Sequence, residues 1–99
     1  MTAPATQPAP TDSATDPTDP TGHIADLRER IDEIDTALIE LWQERAALSH
    51  QVGAARLAGG GTRLVLARER EILDRYRAVL GSDGTQLGLL VLRAGRGPL

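Results

Sequence analysis

The sequence predicts an all-α fold of three helices, one long and two shorter, and three observations carry that prediction. Between Ile24 and Arg56 the apolar residues recur in alternating steps of four and three: Leu27, Ile31, Ile34, Leu38, Leu41, then Leu48, Val52 and Ala55. This is the 3.5-residue repeat of a helix pressed along its length against another helix. Glycine-rich breaks at residues 59–61 and 81–84 cut the remainder into two short segments. The run Leu89-Leu90-Val91-Leu92 has the composition of a strand, but no second strand exists to pair with it.

Residues 1–22 are mostly Thr, Pro, Ala and Asp, with no large apolar side chain after Met1. They are expected to form a disordered tail, leaving residues 23–99 as one domain. Helix one should begin near Thr21 to His23, with Asp26 and Glu29 opposing its positive end, and fail at Gly59-Gly60-Gly61. Gly53 costs about 1 kcal/mol against alanine inside it and would let another backbone come close. A rod of roughly 50 Å is too long for two short helices to cover. The stripe therefore calls for a second chain, most simply in an intertwined two-fold homodimer. Helix two is expected from Leu64 to Leu80, with Val65, Glu69, Ile72 and Tyr76 on its inner face and Val79 and Leu80 closing it. Gly81 to Gly84 reads as a turn. Helix three follows from Thr85 to Ala94, presenting Leu87, Leu90, Val91 and Ala94. Arg93, Gly95, Arg96, Gly97 and Pro98 read as a basic, flexible tail.

Composition narrows the function. There is no cysteine, so disulfides, thiolate catalysis and zinc-thiolate sites are excluded, and His23 and His50 lack partners at metal-ligand spacing. No metal and no cofactor are expected. No apolar run reaches the roughly 18 residues of a membrane span, and no secretory signal opens the chain, so a cytoplasmic protein is expected. The net charge of −3 conceals an uneven distribution. Asp26 to Glu44 holds seven acids and two arginines, whereas Arg45 to Arg77 holds seven arginines and three acids. A basic middle on a near-neutral protein suits a small anion better than nucleic acid, which asks for a wide basic face. All eleven basic residues are arginine, the side chain that grips carboxylates in a planar fork and stays charged when partly buried; genome composition explains the same bias equally well.

One of those arginines interrupts the stripe of helix one, and a second lies near the same face. Arg45 stands where an apolar residue is due, and Arg56 returns to nearly the same face about three turns later. In helix two Glu69 likewise takes an apolar place, beside Arg68. Arg28 and Arg45 lie about 25 Å apart along one helix, so they share a small ligand only across an antiparallel dimer. Each has a plainer alternative. Arg45 would pair with an acid of a neighbouring helix, Arg56 would favour the helix dipole, Arg28 would pair with Asp32, and Arg68 and Glu69 would be solvated surface. No Ser-His-Asp or Cys-His set can be assembled, which argues against covalent catalysis. The residues themselves point to a helical dimer whose pocket, with several arginines and one carboxylate, fits a dicarboxylate that carries a hydroxyl.

The run Leu27-Arg28-Glu29-Arg30-Ile31-Asp32-Glu33-Ile34-Asp35, the block Arg45-Ala46-Ala47-Leu48-Ser49, the step Val52-Gly53-Ala54-Ala55-Arg56 and the pair Arg68-Glu69 resemble the all-helical, type II chorismate mutases over residues 24–97. The segments around Gly60 to Val65 and Leu92 to Gly97 look like its short actinobacterial subgroup. The resemblance implies a Claisen rearrangement of chorismate to prephenate, in phenylalanine and tyrosine biosynthesis. Arg45 and Arg28 of the other subunit would hold one carboxylate and Arg68 the other. Arg56 would donate to the ether oxygen, and Glu69 would accept from the ring hydroxyl near the Val65 backbone. Two departures stand out: the glutamine common late in helix three is missing, and Val65 replaces a polar residue. Losing one donor to the ether oxygen costs on the order of 3 kcal/mol, or about a hundredfold in rate. The resemblance also implies a noncovalent complex with DAHP synthase that raises activity, and the tail from Arg93 to Leu99 is expected to take part. An isochorismate pyruvate lyase of the same fold, or a non-catalytic helical dimer that regulates a partner, are the competing readings.

Overall fold

A computed structural model describes residues 19–97, so the expected tail lies outside the described residues up to Thr18. Three helices follow in order, α1 from Pro20 to Ala58, α2 from Leu66 to Leu80 and α3 from Ser82 to Arg96. The all-α prediction stands, and no strand occurs among the described residues.

The start of α1 is set by Asp19-Pro20, assigned from the sequence to the tail. The Asp19 side chain accepts from the Thr21 amide at 3.0 Å, and its carbonyl accepts from the His23 amide at 3.0 Å. An aspartate cap followed by proline is a favoured helix start, because proline lacks the amide that would go unpaired there. The end of α1 uses each glycine differently. The Gly61 amide donates to the Arg56 carbonyl at 2.8 Å and the Gly60 amide to that of Leu57 at 3.0 Å. This pair of bonds closes a helix through a left-handed residue, here Gly60 at φ 89°. Gly61 is small for another reason: a Cβ there would lie 2.6 Å from Arg56 Cγ.

The chain divides into two units at Leu38 and Ile39. Among the described residues the first unit is the opening half of α1, whose Ile24, Leu27, Ile31, Ile34 and Leu38 stay 41–60% exposed. The second unit holds the rest of α1 together with α2 and α3. There α2 and α3 pack antiparallel, Gly84 against Tyr76, Gly88 against Leu73, and Arg96 against Glu69. The core is small: Ile72, Val91 and Leu92 are its buried apolar side chains.

Several boundaries and faces differ from the sequence reading. Helix two starts at Leu66 rather than Leu64, because Val65 is extended at φ −124° and caps the helix without a side-chain bond. The expected turn shrinks to Gly81 alone, which at φ 71° ends α2 and accepts from the amides of Gly84 and Thr85 to begin α3. Gly84 is therefore helical, and it is small because a Cβ there would overlap the Tyr76 carbonyl. The buried face of α3 is Gly84, Gly88, Val91, Leu92 and Gly95, whereas Leu87 and Leu90 are exposed. Val79 does not close the α2 stripe: it is 78% exposed, and Leu80 is exposed too. The basic tail is not flexible up to Arg96. It continues α3, with Gly97 at φ 78° donating to the Arg93 carbonyl at 2.7 Å.

Candidate active site

Within the second unit a cleft of about 770 Å³ opens among α1, the 59–65 loop, α2 and the last turns of α3. Five of the six residues singled out from the sequence line it: Arg45, Arg56, Val65, Arg68 and Glu69. The sixth, Arg28, is an exposed residue of the first unit. Its expected pair with Asp32 is not the ion pair of that stretch; Arg30 and Glu33 make one at 2.9 Å instead.

Arg45 and Arg56 are both half-buried. Among the described residues neither forms an ion pair. Arg45 reaches instead toward the Val91 carbonyl at 3.5 Å. Gly95 lets α3 pass close to Ser49 of α1, because a Cβ there would overlap the Ser49 side chain. Arg56 lies under Gly61 with its stem against the loop. Arg68 remains exposed and pairs with Glu71 at 3.5 Å, one turn along the outer side of α2. An exposed pair of this kind contributes little to stability, about 0–1 kcal/mol, and leaves the guanidinium available.

Glu69 is not solvated surface. Arg96 donates to it from Nε at 2.6 Å and from Nη2 at 3.3 Å. Arg63, from the loop, donates to the Arg96 carbonyl at 3.2 Å, and the His50 ring is 3.1 Å from the Ala94 carbonyl. Arg63, His50 and Arg96 line the cleft as well, although none of the three is among the site residues expected from the sequence. A signal for Arg96 was present in Gly97-Pro98, a pair that stops helices and so extends helix three to Arg96.

Five arginines thus face one glutamate around a single opening. Such a field favours an anion with two negative charges, and the fork geometry of arginine favours carboxylates. No free cysteine and no cluster of metal ligands occurs among the described residues.

The sequence model described as chorismate mutase type II matches residues 27–89. The intracellular chorismate mutase of Mycolicibacterium smegmatis is 49% identical over 76 residues, covering 77% of this chain and 73% of that one. The intracellular chorismate mutase of Mycobacterium tuberculosis is 48% identical over 80 residues, covering 81% and 75%. Among solved structures, a chain from the noncovalent complex of DAHP synthase and chorismate mutase of Corynebacterium glutamicum, with a bound transition-state analogue, superposes with a TM-score of 0.77. It is 35% identical, and the match covers 80% of this chain and 95% of that one.

Proposed function

The chain belongs to the type II chorismate mutase family and is an isomerase of that activity; we propose that the rearrangement of chorismate to prephenate takes place in the arginine-lined cleft. The observation that carries this is the gathering of Arg45, Arg56, Arg68 and Glu69 around one opening. The rearrangement moves no proton and uses no nucleophile, so an enzyme needs only to hold the dianion in a compact conformation and meet the charge that develops on the ether oxygen. Arg45 and Arg68 hold carboxylates. Arg56 donates to the ether oxygen. Glu69 accepts from the ring hydroxyl, beside the Val65 backbone. No cofactor is required.

The active form is a homodimer of domains that begin at the α1 cap, Asp19, rather than at residue 23. The support is the stripe of α1, a helix of 39 residues with none of them buried. Leaving so much apolar surface in water is unfavourable at about 25 cal/mol per Å². Arg28 of the second subunit completes the grip on one carboxylate. The Corynebacterium relative, seen in complex with DAHP synthase, supports the same partner here, docked through the chain end from Arg93 to Leu99. No helix among the described residues is long and apolar enough to cross a membrane, and we place the enzyme in the cytoplasm.

Chorismate consumption by the purified chain, with product analysis, tests this reading. Prephenate is the expected product; salicylate with pyruvate would assign the lyase reaction instead. Arg45→Ala should lower kcat/KM by about 100- to 1,000-fold with helix content unchanged. Unaltered turnover in that variant would remove the cleft from the reaction. Added DAHP synthase should raise the rate, and deletion of the last five residues should cancel the rise.

A further inference from the structure

Glu69, on which the proposed hydroxyl contact depends, does not stand alone in the cleft. Arg96 lays its guanidinium along the carboxylate, with Nε to Oε2 at 2.6 Å and Nη2 to Oε1 at 3.3 Å. Only 19% of the Arg96 side chain and 18% of the Glu69 side chain are exposed. The guanidinium is anchored in turn, since its Nη1 donates to the Gly97 carbonyl at 3.2 Å, and the Arg96 carbonyl accepts from Arg63 at 3.2 Å. The two partners come from the first turn of α2 and the last turn of α3, 27 residues apart.

We infer that Arg96 is a positioning residue for the rearrangement, one that fixes the plane of the Glu69 carboxylate so that a lone pair of its oxygen meets the substrate hydroxyl. The inference rests on the reading of Glu69 as the hydroxyl acceptor. An ionised carboxylate has about four acceptor sites, and a two-bond fork takes one on each oxygen. One site per oxygen is therefore left for the substrate. A single bond would leave the carboxylate free to rotate about it, whereas two parallel bonds hold the plane. Helix three, which lacks the glutamine common in the family, thereby still acts on the site, through Glu69 rather than on the ether oxygen.

The test compares two substrates in the full chain: chorismate, and chorismate with hydrogen in place of the ring hydroxyl. Arg96→Gln should lower kcat/KM on chorismate by about 10- to 100-fold, the scale of a misplaced contact, and by a several-fold smaller factor on the hydroxyl-free analogue, which loses only one positive charge from the cleft. Arg96→Lys keeps the charge without the fork and should recover only part of the loss. In a Glu69→Gln background, Arg96→Gln should add no further loss, because the group it orients is already altered. Equal losses on both substrates would mark Arg96 as a structural ion pair and overturn the inference, as would undiminished turnover of chorismate. If Arg96→Gln fails to fold by circular dichroism, Arg96→Lys carries the same two-substrate comparison. Absence of mutase activity in the unaltered chain would instead refute the reading of the function, and the two failures are thereby distinct.

Discussion

The helix α1 runs 39 residues and buries none of them, although isoleucine and leucine recur along it, whereas α3 runs 15 residues and buries Gly84, Gly88, Val91, Leu92 and Gly95. The difference lies in how near another backbone comes. At Gly84 and Gly95 the neighbouring helix fills the space a Cβ would need, so α3 is covered by close approach and its leucines at positions 87, 89 and 90 face outward. Along α1 the apolar side chains are large and exposed, which is what the proposed second chain would cover. Hydropathy and burial thus part company in both helices, for opposite reasons.

Breaking α1 should have the largest effect. Leu38→Asp puts a charge into the stripe, and an unpaired charge at a buried interface costs about 3–5 kcal/mol. The charge enters the proposed dimer twice, so sedimentation should show dissociation at concentrations at least about ten-thousandfold higher than for the unaltered chain, with mutase activity lost alongside it. A dimer that survives the change would mean that the stripe faces something else. Breaking α3 should come next. Gly84→Ala drives a methyl group into the Tyr76 carbonyl, and overpacking of this kind costs about 1–3 kcal/mol, seen as a fall in Tm of about 10 °C. An unchanged Tm would deny the close approach. Gly53→Ala is the smallest change and sharpens the contrast. Nothing lies within 4 Å of the added carbon, so the helix should gain about 0.5–1 kcal/mol in thermal unfolding. A loss instead would show that a second chain brings its backbone to that point of α1.

What the sequence disclosed follows the same division. The long helix, its failure at the glycine triplet and the charges at Arg45, Arg56 and Glu69 were legible because each breaks a local period or a local propensity. The inner face of α3 was not, because hydropathy gives glycine no weight and the reason for Gly84 is the carbonyl of Tyr76, on another helix. Small residues at 84, 88, 91 and 95, in steps of four, three and four, were the available signal. Arg96 was missed because its partner, Glu69, is distant in sequence, and because a basic, glycine-containing segment resembles a loop by composition. The cap at Asp19-Pro20 was hidden by the low-complexity residues before it.

The last carbonyls of α3 have a further consequence. The Ala94 carbonyl would ordinarily accept from the amide four residues later, but position 98 is proline and has no amide hydrogen. The His50 Nε2, 3.1 Å away, supplies a hydrogen in the tautomer protonated at that nitrogen. Arg63 serves the Arg96 carbonyl in the same way. The C-terminal turn is thus stitched to stretches far back in the chain, and any outside surface that took hold of it would compete for those borrowed donors. Undoing either stitch would free one cleft-lining side chain, His50 of α1 or Arg63 of the loop.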